Sequence, residues 1–123
     1  MRFIVKLGIL PAIIALMSFS GPKASIEWDF TEHDFGKIEK NKPVTIEFVF
    51  KNPGMLPLII QDVKSSCGCT VPSYPKQPIG PGGSGKITVT YDAKDPGYFS
   101  KSITVYTNTE QNNYNLYIKG EVN

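Results

Sequence analysis

The feature of this sequence that most constrains its fold is an alternation of apolar and polar residues with a period of two. In VTIEFVF, residues 44–50, the apolar side chains are Val44, Ile46, Phe48 and Phe50. Successive side chains of a β-strand point to opposite faces, whereas a helix of about 3.6 residues per turn would scatter these apolar residues around its axis. The segment is therefore predicted to be a strand with one buried face.

Five further segments are predicted to be strands: IEWDF (26–30), LPLIIQDV (56–63), KITVTYD (86–92), SITVYTN (102–108) and NLYIKGEV (115–122). Clusters of glycine, proline and asparagine separate them, and these residues favour turns because glycine adopts positive φ and proline fixes φ near about −65°. No apolar stripe with helical spacing and useful length follows residue 21. Short strands with frequent turns predict an all-β sandwich or small barrel, formed by one domain over residues 25–123.

The N-terminal residues have the layout of a secretory signal peptide. Arg2 and Lys6 precede an apolar run over residues 7–18, and small residues follow it. The run is shorter than the ~20 residues that span a bilayer as a helix, so cleavage is expected rather than a stable membrane span. Residues 1–24 are therefore predicted to be a signal peptide, and the mature domain is predicted to be periplasmic or extracellular.

The charge of the chain argues against a nucleic-acid partner. The formal net charge is +2, from 13 Lys and Arg against 11 Asp and Glu, and removal of Arg2 and Lys6 with the leader makes the two numbers equal. The domain without its leader is close to neutral. It has no basic stripe with which to hold a phosphate backbone.

The glycine-rich run GPGGSGK, residues 80–86, matches most of a phosphate-binding loop. Ile87 stands where that motif requires the hydroxyl that binds magnesium. A phosphate loop must also lead into a helix, whose N-terminal amides hold the anion, and this run leads into an alternating strand. It is predicted to be a loop between strands rather than a nucleotide site.

Cys67 and Cys69 are the two cysteines of the chain, and one residue separates them. In an extended strand such residues are about 6.6–6.8 Å apart, at the outer limit for a disulfide, so a bond requires the bend that Gly68 permits. Three interpretations stay open: structural or disulfide-bonded cysteines, a copper or zinc site, and thiol–disulfide chemistry. His33 and Met55 are the candidate additional ligands or helpers.

No catalytic residues are assigned from the sequence. His33 is the sole histidine and stands beside Asp34, an arrangement typical of a hydrogen-bonded surface group. The carboxylates fall mainly on polar strand faces or in turns, and their spacing does not place two of them across a cleft. The chain is therefore not expected to be an enzyme.

Four tyrosines form the candidate protein-contact patch. Tyr106 and Tyr117 lie on the polar sides of their predicted strands. With Tyr98 and Tyr114 they are predicted to form an exposed surface for a protein partner, because tyrosine is enriched in protein interfaces.

Several motifs also follow one another in a recognisable order: HDFGKI (33–38), FVFKNPGMLPLIIQDVKSSCGCTVP (48–72), PIGPGGSGKITVTYD (78–92), GYFSKSITVYTN (97–108) and IKGEV (118–122). Together they cover nearly the whole mature chain, and the Cys-Gly-Cys-Thr element is the most specific. In these motifs the chain closely resembles an uncharacterised family of exported bacterial proteins, catalogued as domain of unknown function fifteen-seventy-three. That family looks like a relative of the Hydin-type immunoglobulin-like domains. The resemblance implies a sandwich of about seven strands and an interaction module, and it carries no established activity.

Together these observations predict a non-catalytic protein-binding or structural module without a cofactor. An exposed edge strand or the tyrosine-bearing face is the expected contact surface, since an open edge can pair with a partner chain. The alternative is a metal-binding or thiol-redox protein centred on Cys67 and Cys69.

Overall fold

The computed structural model describes residues 23–123, so residues 1–22 of the predicted signal peptide lie outside the described residues. This part of the chain contains eight strands and no helix, and thus no helix that could cross a membrane. In chain order the strands are β1 (Glu27–Trp28), β2 (Glu32–Ile38), β3 (Val44–Lys51), β4 (Ile60–Ser65), β5 (Thr70–Ser73), β6 (Ser84–Tyr91), β7 (Gly97–Thr107) and β8 (Asn113–Val122).

The strands form two four-stranded sheets, with the orders β1-β3-β6-β5 and β2-β8-β7-β4. Every pairing is antiparallel except that of β2 with β8, which is parallel. The first two strands divide between the sheets, because β1 pairs with β3 and β2 pairs with β8. The structure confirms the prediction of an all-β sandwich.

The core lies between the sheets and is built from the residues that the alternation assigns to the inner faces. One sheet contributes Phe48, Phe50, Ile87 and Val89, and the other contributes Ile103, Val105, Leu116 and Ile118. All of these side chains are fully buried. Removing this apolar surface from water is the main favourable contribution to folding.

Two strands were not predicted, because each contains a residue that interrupts the pattern. In β2 the pairing with β8 shifts between Asp34 and Lys37, and Gly36 adopts a φ of +68°. This bulge changes which residues face inward, so the period of two is lost. In β5, a strand of only four residues, Pro72 lacks the N–H that a central strand would need.

The boundaries of two predicted strands also differ. Only Glu27–Trp28 of the segment 26–30 is strand. In the segment 56–63, Leu58 instead forms an isolated antiparallel bridge with Ile79, and the strand begins at Ile60.

Ala24, the last residue of the predicted signal peptide, packs with the domain. It is only 5% exposed and forms an isolated parallel bridge with Thr109. A cut on the N-terminal side of Ala24 would preserve this contact.

The glycine-rich run leads directly into β6, as the sequence predicted. Its Gly82 amide donates to the Asn52 carbonyl at 2.8 Å, and the Asn52 amide donates to the Gly83 carbonyl at 2.8 Å. The loop is therefore held against the end of β3 by its own backbone.

Candidate functional site

Three tyrosines lie on the outer face of the sheet β2-β8-β7-β4. Tyr98 and Tyr106 belong to β7, where they alternate with buried residues, and Tyr117 belongs to β8. Tyr117 pairs with Ser102, which lies four residues from each of the other two tyrosines. At about 3.4 Å per residue, the three side chains are spaced roughly 14 Å apart along the β7–β8 hairpin. We call Tyr98, Tyr106 and Tyr117 the tyrosine face.

Tyr114 does not belong to the tyrosine face, and its assignment to an exposed patch was wrong. It has the same parity on β8 as the buried Leu116, so its side chain points inward. Its hydroxyl lies 2.8 Å from the Thr109 hydroxyl, and its ring centroid lies 6.1 Å from that of Trp28. Tyr114 therefore packs the end of the sandwich.

The tyrosine face carries few contacts that hold its rings in place. Tyr98 is 87% exposed and Tyr117 is 44% exposed. A hydrogen bond to Glu121, followed by that carboxylate's charge, raises the pKa of Tyr98. The Lys64 ammonium lies 5.7 Å from the centre of the Tyr106 ring. Tyr106 is half-buried, and such surface contacts stabilise the fold only slightly.

A depression of about 320 Å³ lies beside Tyr98, where β2, β8 and β7 run side by side. The bulge in β2 helps to shape it, because the Gly36 amide turns back to Asp34 Oδ1 at 2.8 Å. The lining residues are Asp34, Gly36, Lys37, Tyr98, Phe99, Ser100, Lys119, Gly120 and Glu121.

The charges around the depression balance. Asp34 and Glu121 oppose Lys37 and Lys119, so the site has no strong field of one sign. The Lys119 ammonium lies 2.9 Å from a Glu32 carboxylate oxygen. The hydrogen bond in that pair, followed by its charge attraction, raises the pKa of Lys119.

Cys67 and Cys69 are joined by a disulfide, with their Cα atoms 5.3 Å apart. They lie in the connection from β4 to β5, which carries the chain from one sheet to the other. The Ser65 hydroxyl donates to the Cys67 carbonyl at 2.6 Å. The hydroxyl of Thr70 lies 3.6 Å from the sulfur of Cys67 and 3.9 Å from that of Cys69.

The structure does not bring His33 or Met55 to the cysteines, so it does not support the metal-site hypothesis. His33 lies on β2 and packs edge-on against Phe35, with 4.6 Å between ring centroids. β2 and β4 are opposite edges of one sheet, three strand spacings or about 14 Å apart. Met55 is 88% exposed and precedes β4, whereas the cysteines follow it. Within residues 23–123 no three His, Cys, Asp or Glu side chains are grouped to hold a metal ion.

Sequence reasoning missed the depression and the position of Thr70. The glycines of HDFG and IKGEV were signals, since a glycine inside a strand often marks a bulge or a close approach of another group. Thr70 follows the cysteines directly, but its contact with both sulfur atoms depends on the bend of the loop.

The two sheets and their connections define an immunoglobulin-like β-sandwich domain whose candidate site is a surface of outward-facing tyrosines. A family model matches residues 26–122, and the chain belongs to the family described as Protein of unknown function (DUF1573). This match confirms the resemblance inferred from the sequence motifs. A comparison with curated protein sequences finds no match.

Solved structures share the fold at low sequence identity. A protein of unknown function from Porphyromonas gingivalis W83 has a TM-score of 0.70 and 19% identity, over 80% of this chain and 46% of that one. The chain thus spans less than half of that protein. The PapD-like domain 7 of human CEP192 has a TM-score of 0.70 and 11% identity, over 85% of this chain and 89% of that one. The VesB protease of Vibrio cholerae has a TM-score of 0.61 and 13% identity, over 82% of this chain and 32% of that one.

Proposed function

We propose that this domain is a non-catalytic protein-binding module and that the tyrosine face is its contact surface. The observation that carries the proposal is the exposure of Tyr98, which is 87%, beside a depression of about 320 Å³. A tyrosine ring offers a large apolar area with a polar hydroxyl at its end, which is why tyrosine is enriched at protein interfaces. A partner side chain that enters the depression would contact this ring.

The core of the sandwich does not account for these outward rings. Buried Phe99 and Val105 on β7, and Leu116 and Ile118 on β8, fill the inner face of the same hairpin. Burying the exposed rings against a partner would contribute roughly 25 cal/mol for each Å² of apolar surface removed from water, before the cost of association. The balanced charges favour a partner recognised by shape and hydrogen bonds rather than by long-range attraction.

We also propose that the domain acts after export, in the periplasm or outside the cell. The basic and apolar pattern of the first 24 residues supports export. The Cys67–Cys69 disulfide supports it as well, because disulfides persist in oxidising compartments and are rare in the cytosol.

The proposal is tested by placing a photo-crosslinking amino acid at position 98 in the full-length protein, expressed in its parent cells. Position 55 is the matched control, since Met55 is as exposed as Tyr98 but lies in the loop before β4. We expect position 98 to crosslink to a discrete protein that position 55 does not capture.

The captured protein is then purified, and its affinity is measured by titration calorimetry. We expect the double variant Tyr98→Ser/Tyr117→Ser to bind at least about tenfold more weakly, and Met55→Ser to bind normally. Equal affinity of the double variant and the wild type would refute the tyrosine face as the contact surface. Turnover of a substrate by the purified domain would refute the non-catalytic role.

A further inference from the structure

We propose that the Cys67–Cys69 disulfide is a thiol–disulfide exchange site that accepts two electrons from an external dithiol, and that Thr70 stabilises its reduced form. This site lies in the β4–β5 connection, whereas the tyrosine face lies on the outer surface of the β7–β8 hairpin. The inference is therefore independent of the proposed protein-binding function.

The first observation is that this disulfide contributes little to holding the fold together. It encloses a single residue, Gly68, so it restricts the unfolded chain far less than a bond that closes a long loop. Other bonds already fix the connection. The Ser66 amide donates to the Ser102 carbonyl at 2.9 Å, and the Asp92 amide donates to the Cys69 carbonyl at 3.0 Å. The loop is therefore expected to keep its course when the disulfide is reduced.

The second observation is the position of the Thr70 hydroxyl. Thr70 is 3% exposed, and within residues 23–123 its hydroxyl has hydrogen-bonding contacts only with the two sulfur atoms, at 3.6 and 3.9 Å. Bonded sulfur carries no hydrogen, so the hydroxyl must be the donor, and it donates to weak acceptors. A thiolate is a stronger acceptor because it carries a full charge. Reduction would thus give this buried hydroxyl a better partner, which stabilises the reduced form relative to the disulfide.

The third observation is that the loop is open on one side. Apart from Cys67 and Cys69 themselves, no atom would lie within 4 Å of a Cβ built on the exposed Gly68, so the loop is open to solvent between the two cysteines. Both cysteines are half-buried, but Cys69 packs against the hydrophobic core and Cys67 is not among the residues that do. Attack is therefore expected at the sulfur of Cys67.

The exchange balances in two steps. A thiolate of the external dithiol attacks Cys67 Sγ and forms a mixed disulfide, while the bond between the two protein sulfurs breaks and its electron pair leaves on Cys69 Sγ. The Thr70 hydroxyl donates to this thiolate. The second thiol of the dithiol loses its proton to solvent and attacks the dithiol's own sulfur in the mixed disulfide, which closes a disulfide within the dithiol and releases Cys67 as a thiolate. Cys67 then takes up a proton from solvent, while Cys69 stays a thiolate that accepts from Thr70. Two electrons have passed from the dithiol to the protein, and of the two protons that the dithiol releases one is returned to Cys67 and the other stays in solvent.

The test equilibrates the purified folded protein with defined ratios of reduced and oxidised dithiothreitol, followed by acid quenching, alkylation and mass spectrometry. We expect complete reduction without loss of the circular-dichroism spectrum. Thr70→Val removes the hydroxyl at nearly constant volume and is expected to shift the equilibrium about three- to tenfold toward the disulfide. Thr70→Ser, which keeps a hydroxyl, should restore the wild-type equilibrium. Thr70→Ala replaces the valine variant if that variant does not fold.

A second measurement separates stabilisation of a thiolate from a packing effect. The alkylation rate of the reduced protein against pH gives the pKa of its more acidic thiol, and this pKa is expected to rise in Thr70→Val and to return in Thr70→Ser. A dithiol protein should reduce the site fully, whereas glutathione should leave a mixed disulfide at Cys67.

Three results would overturn the inference. Reduction only at denaturant concentrations that unfold the domain would show a closed structural bond. A shift of less than twofold in Thr70→Val would remove the role of the hydroxyl. Exchange with glutathione but not with a dithiol protein would exclude the proposed reductant.

Discussion

At the scale of single residues, the packing of the Phe99 ring between the two sheets depends on a glycine at position 120. The Phe99 ring stacks on Tyr91 with 4.0 Å between ring centroids, and it lies directly over Gly120 on the neighbouring strand. A Cβ on Gly120 would lie 2.8 Å from that ring and 2.9 Å from the Gly36 carbonyl oxygen. Glycine is required at this position because of a close approach rather than an unusual φ angle.

Gly120→Ala is therefore expected to lower the free energy of unfolding by about 1–3 kcal/mol, since the ring or the β2 bulge must move. Urea denaturation followed by tryptophan fluorescence measures the change. Gly80→Ala is the matched control, because a Cβ at Gly80 would have no neighbour within 4 Å and Gly80 lies outside the disulfide loop, so its midpoint should stay close to the wild-type value. Equal midpoints for the two variants would show that the ring is not tightly held.

Where a strand is regular, the alternation of positions along it predicted whether a side chain points into the core or outward. Phe48, Ile87 and Ile103 were assigned inward, and all three are fully buried. Tyr114 was wrongly assigned to the outer face. Tyr114 and Leu116 are two residues apart on β8, so the alternation that places Leu116 inward also places Tyr114 inward, but it was not applied to the residues before Asn115. Thr70 was not predictable in this way, since its contact with the sulfur atoms depends on the turn at Gly68.

At the scale of elements, one buried amide joins two loops. Asn52 is fully buried, and its Nδ2 donates to the carbonyls of Leu56 at 2.7 Å and Ile79 at 2.8 Å. Its Oδ1 accepts from the Gly54 amide at 3.0 Å. This side chain therefore joins the loop after β3 to the loop before β6, in addition to the backbone bonds between them.

Asn52→Ala is expected to lower the free energy of unfolding by about 2–4 kcal/mol, because it removes three part-buried hydrogen bonds, and of the three backbone groups only the Ile79 carbonyl keeps another donor, the Leu58 amide. Thermal and urea denaturation measure the loss. Asn108→Ala serves for comparison, since its side chain also bonds two backbone groups, at Ile59 and Pro57, in a more exposed setting. Water can replace those bonds, so a smaller loss is expected. A larger loss for Asn108→Ala would contradict this account of burial.

The elements themselves were predictable to different degrees. β3, β6, β7 and β8 have long alternating patterns, and all four were identified. β2 was not, because the bulge at Gly36 moves the inward positions from Phe35 to Ile38 and so changes their parity. β5 was not, because it is short and contains Pro72. Alternation with a period of two cannot identify a strand in which a bulge or a proline interrupts the alternation.

At the scale of the whole molecule, the candidate site depends on the order of the strands. The depression beside Tyr98 needs β2, β8 and β7 side by side, although β2 lies far from the others in the sequence. Alternation indicates which residues share a face of one strand. It does not indicate which strands are neighbours, so the tyrosines were predicted and the depression was not.

Alkaline pH is expected to destabilise the domain. Burial, followed by the charges of Asp92 and Asp95, raises the pKa of Tyr91 above its ordinary value of 10.0. The exposed Tyr98 and Lys119 also have raised pKa values, through Glu121 and Glu32. The folded state thus holds these protons more tightly than the unfolded state. Their stabilisation is fully present below about pH 10 and is lost as the pH rises through the folded values.

Urea denaturation at pH 8 and pH 11 measures this loss. Tyr91→Phe removes the main buried group, so its unfolding free energy should fall less between the two pH values than that of the wild type. Tyr106→Phe is the control, because Tyr106 is on the outer face, and it should follow the wild type. The same fall in Tyr91→Phe as in the wild type would assign the pH dependence to other groups.

The parallel pairing of β2 with β8 determines how the domain bears a mechanical load. These are strands near the two ends of the chain, and their pairing extends from Glu32 opposite Tyr117 to Ile38 opposite Val122. A force that pulls residues 23 and 123 apart must first release the Ala24–Thr109 bridge and β1, and it then drags β2 and β8 past each other along their length. Their hydrogen bonds then resist together in shear, rather than opening one after another as in a zipper.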